Sequence, residues 1–81
     1  MEVKVICKLK ELMEAKNITQ TELSERTGLA STTIGRLYRN HASRVDFETL
    51  EKLIAFFELS TISDLLEAKV IGNGKNYSPP N

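Results

Sequence analysis

The stretch that decides the fold is QTELSERTGLASTTIGRLYR, residues 20–39. Leu23 is the main apolar residue before Gly28. After Gly28, apolar residues follow the i, i+3, i+4 spacing of one helix face: Ile34, Leu37 and Tyr38. Gly28 lies where the chain needs a positive φ to end one helix before it begins another. Thr19 and Glu22, at the start of the first helix, have the spacing of a capping box. The stretch therefore predicts two short helices joined by a tight turn, helix 2 at residues 20–27 and helix 3 at about residues 31–39.

Two helices joined by a three- or four-residue turn containing glycine lie at a steep angle, so the second helix protrudes. A protruding helix fits the major groove of DNA, about 12 Å wide, where the base edges present distinct patterns of donors and acceptors. The spacing thus favours a helix that reads DNA. A helical bundle in which Gly28 only ends a helix is the alternative at this point.

The N-terminal segment carries an apolar series at i, i+4, i+7, formed by Val5, Leu9 and Leu12. This series predicts a helix from about residue 3 to Lys16. The alternation at residues 2–6 would also fit a strand, but it is short and overlaps the helical stripe, so a helix is the prediction.

The C-terminal half carries two further helical patterns. The first, at about 47–58, follows Asp46, a good N-cap, and has the strongest apolar face of the chain. Thr61 and Asp64 have the spacing of a capping box and predict a last helix at about 62–68. The expected fold class is all-α, with five helices.

The chain has 81 residues, of which 41% are hydrophobic and 27% charged. This length supports one core, and the composition is too apolar for intrinsic disorder. The end of the chain is rich in Gly, Asn, Ser and Pro and has no periodicity. We therefore expect a helix-turn-helix DNA-binding domain at residues 1–68 and a flexible tail at 69–81.

Cys7 is the single cysteine, so the chain can form neither an internal disulfide nor a multi-cysteine metal site. It lies beside the N-terminal apolar stripe and is expected to be a partly buried apolar side chain, with redox sensing as the alternative. A reducing cytoplasm is the expected location. No apolar run approaches the roughly 20 residues that a membrane span requires, and no membrane association is expected.

The charges are balanced overall but unevenly distributed. Eleven Lys and Arg residues match eleven Asp and Glu residues. Residues 31–45 contain three arginines and no acidic residue, whereas residues 46–67 contain six acidic residues and one lysine. The acid-free stretch covers helix 3 and the loop after it, which favours a local basic surface for a polyanion. A merely solvated arginine face is the alternative.

The segment from Leu9 to Glu67 resembles the XRE family of helix-turn-helix transcriptional regulators, the Cro and phage-repressor type. The residues that carry the resemblance are a Gln that opens helix 2, a small residue and a Gly that shape the turn, and apolar residues that seat helix 3: Gln20, Ser24, Gly28, Leu29, Ile34 and Leu37. The resemblance implies a five-helix, lambda-repressor-like fold and sequence-specific binding of double-stranded DNA. A repressor role is expected.

The resemblance also implies the site residues. The expected base-reading residues lie on the recognition helix: Ser31, Thr32, Thr33 and Arg36. The expected phosphate contacts lie at the start of helix 2 and after helix 3: Gln20, Arg39, Asn40, His41, Ser43 and Arg44. This chain has Ala30 where the family often has a Ser or Thr cap, so Ser31 either caps helix 3 or reads a base.

One short helix reads few base pairs, so a homodimer on a palindromic operator is expected. Its predicted surface is the helix at 62–68 together with residues 69–71. A protein-interaction module, such as an antitoxin or a phage modulator, stays open because the net charge is zero and the C-terminal half is apolar and acidic. The sequence offers no nucleophile with a base, no ligand cluster and no glycine-rich phosphate loop. We therefore expect no enzyme activity, no cofactor and no small-molecule substrate.

Overall fold

The computed structural model describes residues 2–70. The described part of the chain forms four α-helices, one 3-10 turn and a two-stranded antiparallel sheet. In chain order the elements are β1 (Val3–Cys7), α1 (Leu9–Lys16), α2 (Gln20–Thr27), α3 (Ser31–Tyr38), α4 (Phe47–Phe57), the 3-10 turn (Ile62–Asp64) and β2 (Leu66–Val70).

The three central helices lie where the sequence places them, within a residue at each end, and the side-chain caps of α2 and α4 form as expected. At the start of α2 the hydroxyl of Thr19 accepts a hydrogen bond from the backbone N–H of Glu22 at 3.1 Å. The Glu22 carboxylate in turn accepts from the backbone N–H of Thr19 at 3.0 Å. At the start of α4 the Asp46 carboxylate accepts from the backbone N–H of Thr49 at 3.0 Å. The predictions of these helices are confirmed.

The prediction of a helix from residue 3 is wrong, because Val3–Cys7 is a strand and α1 begins only at Leu9. The segment VKVIC contains three β-branched residues, which favour extended backbone. It pairs along its whole length with β2, from Val3 opposite Val70 to Cys7 opposite Leu66. Pairing with the distant strand β2 therefore decides that residues 3–7 form a strand and not a helix.

The prediction of a fifth helix at 62–68 is also wrong. The backbone N–H of Thr61 does donate to the Asp64 carboxylate, at 3.3 Å, but only one 3-10 turn follows. Leu65 then enters the core with none of its surface exposed, and the chain continues as β2. The fold is therefore not strictly all-α. Lys69 and Val70, assigned to the tail, are the last residues of β2, and the rest of that predicted tail lies outside the described residues.

One side chain from each helix, together with Leu65, is fully buried in the core: Leu9, Leu23, Ile34, Leu53 and Leu65. Helix α3 packs against both α1 and α2. The backbone N–H of Lys8 donates to the carbonyl of Leu65 at 2.7 Å, which joins the two ends of the described chain.

Cys7 is 6% exposed, as its predicted apolar role requires. Burial raises the pKa of the Cys7 thiol, so the thiol stays protonated at neutral pH. Within residues 2–70 no helix has both the length and the apolar character needed to cross a membrane.

Candidate nucleic-acid interface

The turn between α2 and α3 begins at Gly28, which has φ +78° and lies at the C-terminal cap of α2. Its backbone N–H donates to the carbonyl of Ser24 at 2.9 Å, which closes the last turn of the helix. The Ser24 hydroxyl then reaches past the turn and donates to the carbonyl of Leu29 at 2.7 Å. The small residue expected at this position therefore bonds the turn as well as leaving room for it.

Thr27 adds a second hydroxyl bridge that sequence reasoning missed. Its hydroxyl donates to the carbonyl of Leu23 at 2.6 Å and accepts from the backbone N–H of Leu29 at 3.2 Å. The signal was a Thr directly before the glycine, within reach of the carbonyl four residues earlier. Hydrogen bonds within five residues along the chain therefore fix the course of the turn.

Helix α3 has one apolar side and one polar side. Ile34 and Leu37 are buried and hold the helix on the core. Three of the predicted base-reading residues, Ser31, Thr32 and Arg36, are exposed, and Thr33 is half-buried. The 100° advance per residue places Thr32 and Arg36 side by side on the outer surface.

The start of α3 settles the structural alternative for Ser31. Ala30 occupies the N-cap position with extended backbone, and no side chain caps this end of the helix. Ser31 is therefore the first helical residue, not the cap. Its exposed hydroxyl therefore makes no capping hydrogen bond at the start of the helix.

Gly35 lies at a close approach between two predicted phosphate contacts. A Cβ at this position would lie 3.3 Å from a guanidinium nitrogen of Arg39 and 3.5 Å from Oε1 of Gln20. Gln20 opens α2 and Arg39 follows the last residue of α3. The missing side chain of Gly35 lets these two polar groups converge beside the outer surface of α3.

The end of α3 and the following loop form an open groove of about 250 Å³. The groove is lined mainly by predicted DNA-contact residues: Thr33, Arg36, His41, Ser43 and Arg44, with Ala42 between them. Residues that are up to eleven positions apart in the sequence thus share one concave surface.

Asn40 has a structural task at the end of α3. It adopts a left-handed φ of 59°, and the backbone N–H of His41 donates to the carbonyl of Arg36 at 2.8 Å. The side-chain oxygen of Asn40 accepts from the backbone N–H of Cys7, and its side-chain nitrogen donates to the Cys7 carbonyl at 3.2 Å. The amide therefore ties the recognition helix to β1, a role that its sequence position did not reveal.

The positive charges of this surface are not neutralised within residues 2–70. The ion pairs there join Lys8 to Glu67 at 3.8 Å and Lys52 to Glu48 at 3.5 Å. The predicted arginines take part in neither pair: Arg36, Arg39 and Arg44. Their guanidinium groups remain available to an external anion. In the same residues no group of three His, Cys, Asp or Glu side chains is arranged to hold a metal ion.

A helix pair joined by a glycine turn, with exposed polar residues on the second helix and unneutralised arginines on and after it, defines a helix-turn-helix DNA-binding domain. The family model of the Cro/C1-type HTH DNA-binding domain matches residues 8–70, and the chain belongs to this family. The predicted membership in the XRE type of regulator is confirmed. No curated protein and no solved structure matches the chain.

Proposed function

We propose that this protein is a transcriptional repressor that binds a palindromic operator as a homodimer and reads the major groove with α3. The observation that carries the proposal is the two-sided character of α3. Its apolar stripe is buried while Thr32 and Arg36 lie side by side on the exposed side. A helix seated in this way can enter a groove about 12 Å wide without leaving the core.

Two kinds of contact follow from the chemistry of the exposed groups. Arg36 can donate two hydrogen bonds to O6 and N7 of a guanine. The hydroxyls of Ser31, Thr32 and Thr33 can serve several bases, and the Thr methyl groups can touch thymine. These four residues are the proposed source of sequence specificity.

The second kind of contact fixes the protein on the sugar-phosphate backbone and carries affinity without sequence information. Gln20 and Arg39 converge over Gly35, so the amide nitrogen of Gln20 and the guanidinium of Arg39 can both donate to one phosphate. On the other side of α3, the groove after the helix offers further donors: His41, Ser43 and Arg44. Asn40 can add only the second N–H of its side-chain amide, because the first N–H and the amide oxygen bond Cys7.

Repression is the proposed outcome because occupation of an operator is enough to block transcription. A homodimer is proposed because α3 has only eight residues and reads few base pairs. Two copies one helical turn apart would double the sequence that is read.

The test begins with selection of bound duplexes from a random pool, which yields the operator and shows whether it is palindromic. Arg36→Ala should then reduce discrimination between operator variants by about 10- to 100-fold. Arg44→Ala should weaken all duplexes about equally and lower the slope of log affinity against log salt by about 1. Arg26→Ala is the matched control, since Arg26 is exposed on α2 outside the acid-free stretch.

An enriched palindrome with the expected pattern of variants supports the proposal. No measurable affinity for any duplex at low salt would contradict it and favour the alternative, a protein-interaction module. Equal loss of affinity in Arg36→Ala and Arg26→Ala would contradict the role assigned to α3.

A further inference from the structure

The two-stranded sheet has one face made only of apolar residues. Residues that pair directly across an antiparallel ladder point to the same side of the sheet. The pairs Val3–Val70, Val5–Ala68 and Cys7–Leu66 therefore share one face, called here the sheet face. The opposite face carries Lys4 with Lys69 and Ile6 with Glu67.

The core covers only one end of the sheet face. Cys7 is 6% exposed and Leu66 is half-buried, and both pack into the core. Towards the other end, Val5 is 61%, Val3 52% and Val70 48% exposed. A lone two-stranded sheet is at best marginally stable in water. Within residues 2–70, most of the sheet face is therefore not covered by any other part of the protein.

The sheet face lies next to the proposed DNA-binding surface. An open groove of about 210 Å³ separates its inner part from the loop after α3. The sheet contributes Val5, Cys7 and Leu66 to this groove, and the other side includes Leu37 and Arg44. A partner seated on the sheet face would therefore lie beside the end of the recognition helix.

We propose that the sheet face is the interface of the homodimer, occupied by the sheet face of a second copy of this chain. A two-fold interface brings the same patch of both copies together, so a charged patch would repel itself. The sheet face carries no charge, whereas the α3 surface is basic and the outer side of α4 is acidic. It is the surface of the described residues best suited to self-association.

The size of the sheet face sets the expected strength of the dimer. Its exposed valines offer on the order of 300 Å² of apolar surface, within the range of the largest patch on an ordinary monomer. A stable interface of standard size buries about 800 Å² per partner. The free dimer should therefore be weak, and two adjacent half-sites would complete it. This last step rests on the proposed function.

The experiment is sedimentation equilibrium of the full chain, from micromolar to millimolar concentration, with two matched double variants. Val5→Thr/Val70→Thr makes the sheet face polar but keeps the β-branched shape that favours strands. Lys4→Thr/Lys69→Thr places the same residue in the same strands on the opposite face. The first variant should raise the dimer Kd at least tenfold, and the second should change it less than twofold.

Binding to DNA separates this proposal from the proposed function. The sheet-face variant should keep the wild-type affinity for a single half-site and lose at least tenfold for the full palindrome. A dimer without duplex binding would support the interface and contradict the DNA-binding function. A wild-type chain that stays monomeric, both at millimolar concentration and on the palindrome, would overturn the interface.

A dimer whose Kd is unchanged in the sheet-face variant would also overturn the interface, since another surface would then hold the two copies. The interface would also be overturned if the wild type were monomeric and the sheet-face variant only lowered the free energy of unfolding. That result would mean that the face is covered within one chain.

Discussion

The helix-turn-helix segment and the paired ends of the chain hold their shape by different means. In the turn after α2, hydroxyl groups bond carbonyls within five residues along the chain. The ends are joined by contacts between distant residues, such as Lys8 with Leu65 and the ladder from Val3 to Val70. The turn between α2 and α3 is therefore fixed by contacts close in the sequence, whereas the sheet depends on contacts between the two ends of the described chain.

Asn40 connects these two regions. Its backbone ends α3, and its side chain bonds both backbone groups of Cys7. The two regions also differ in what they leave exposed, since the helix pair presents polar groups and the sheet presents valines. These exposed groups are what the proposed DNA contact requires of the first region and what the proposed self-association requires of the second.

The largest expected effect comes from disrupting the contacts that join the two ends of the described chain. Leu65→Ala removes a fully buried side chain between the 3-10 turn and β2. Such a change costs about 2–5 kcal/mol, because it loses burial and leaves a cavity. Urea denaturation measures the loss, and exchange of the β1 amides should accelerate with it.

Ile62→Ala is the matched control, because Ile62 is 50% exposed in the same segment. It should cost about 1 kcal/mol or less. Equal losses in the two variants would contradict the claim that Leu65 anchors the sheet to the core.

The next effect concerns the turn itself. Gly28 has φ +78°, so Gly28→Ala should destabilise the protein by about 1–2 kcal/mol through backbone strain alone. Space does not limit the substitution, because Nζ of Lys52, the closest atom, would lie 3.9 Å from the new Cβ. Thermal unfolding measures the change.

Gly28→Asn separates strain from loss of glycine, since Asn tolerates the left-handed region better than Ala. It should recover part of the stability. An Ala variant as stable as the wild type would show that the turn does not need the positive φ.

The same contrast explains how much the sequence could predict. The caps at Thr19 and Asp46, and the stop at Gly28, act within a few residues, so their patterns predicted the three central helices. The choice between helix and strand at residues 3–7 depends on β2, whose residues lie 59 to 67 positions further along the chain, which no local spacing reveals. Likewise, sequence position suggested a phosphate contact for Asn40, and only the fold brings its amide to Cys7.

A smaller effect of opposite sign is expected at Gly35. An Ala in a helix interior is more stable than Gly by about 0.5–1 kcal/mol, so Gly35→Ala should raise stability. Its Cβ would crowd the flexible end of Arg39, 3.3 Å away, and move that guanidinium from Gln20. Affinity for all duplexes should therefore fall while thermal stability rises.

Arg39→Ala tests whether the same group is responsible. In that background Gly35→Ala should no longer affect affinity, and a double-mutant cycle measures the coupling. Additive losses of affinity would contradict the convergence of Gln20 and Arg39 on one phosphate.

The smallest effect is the pH dependence contributed by Asp46, the local cap between the basic loop and α4. Hydrogen bonds from Thr49, first its hydroxyl and then its backbone N–H, lower the pKa of Asp46 below 3.8. As pH falls below about 4, the unfolded chain takes up the Asp46 proton before the folded one, so the cap's stabilisation is present above about pH 4 and is lost below it.

Asp46→Asn keeps an acceptor for the Thr49 N–H but does not titrate. The slope of unfolding free energy against pH between about 5 and 2 should be shallower in this variant. The difference should persist at high salt, because hydrogen bonds rather than the more distant charge of Lys52 dominate the shift. Parallel slopes in the wild type and the variant would mean that the cap does not distinguish the two protonation states.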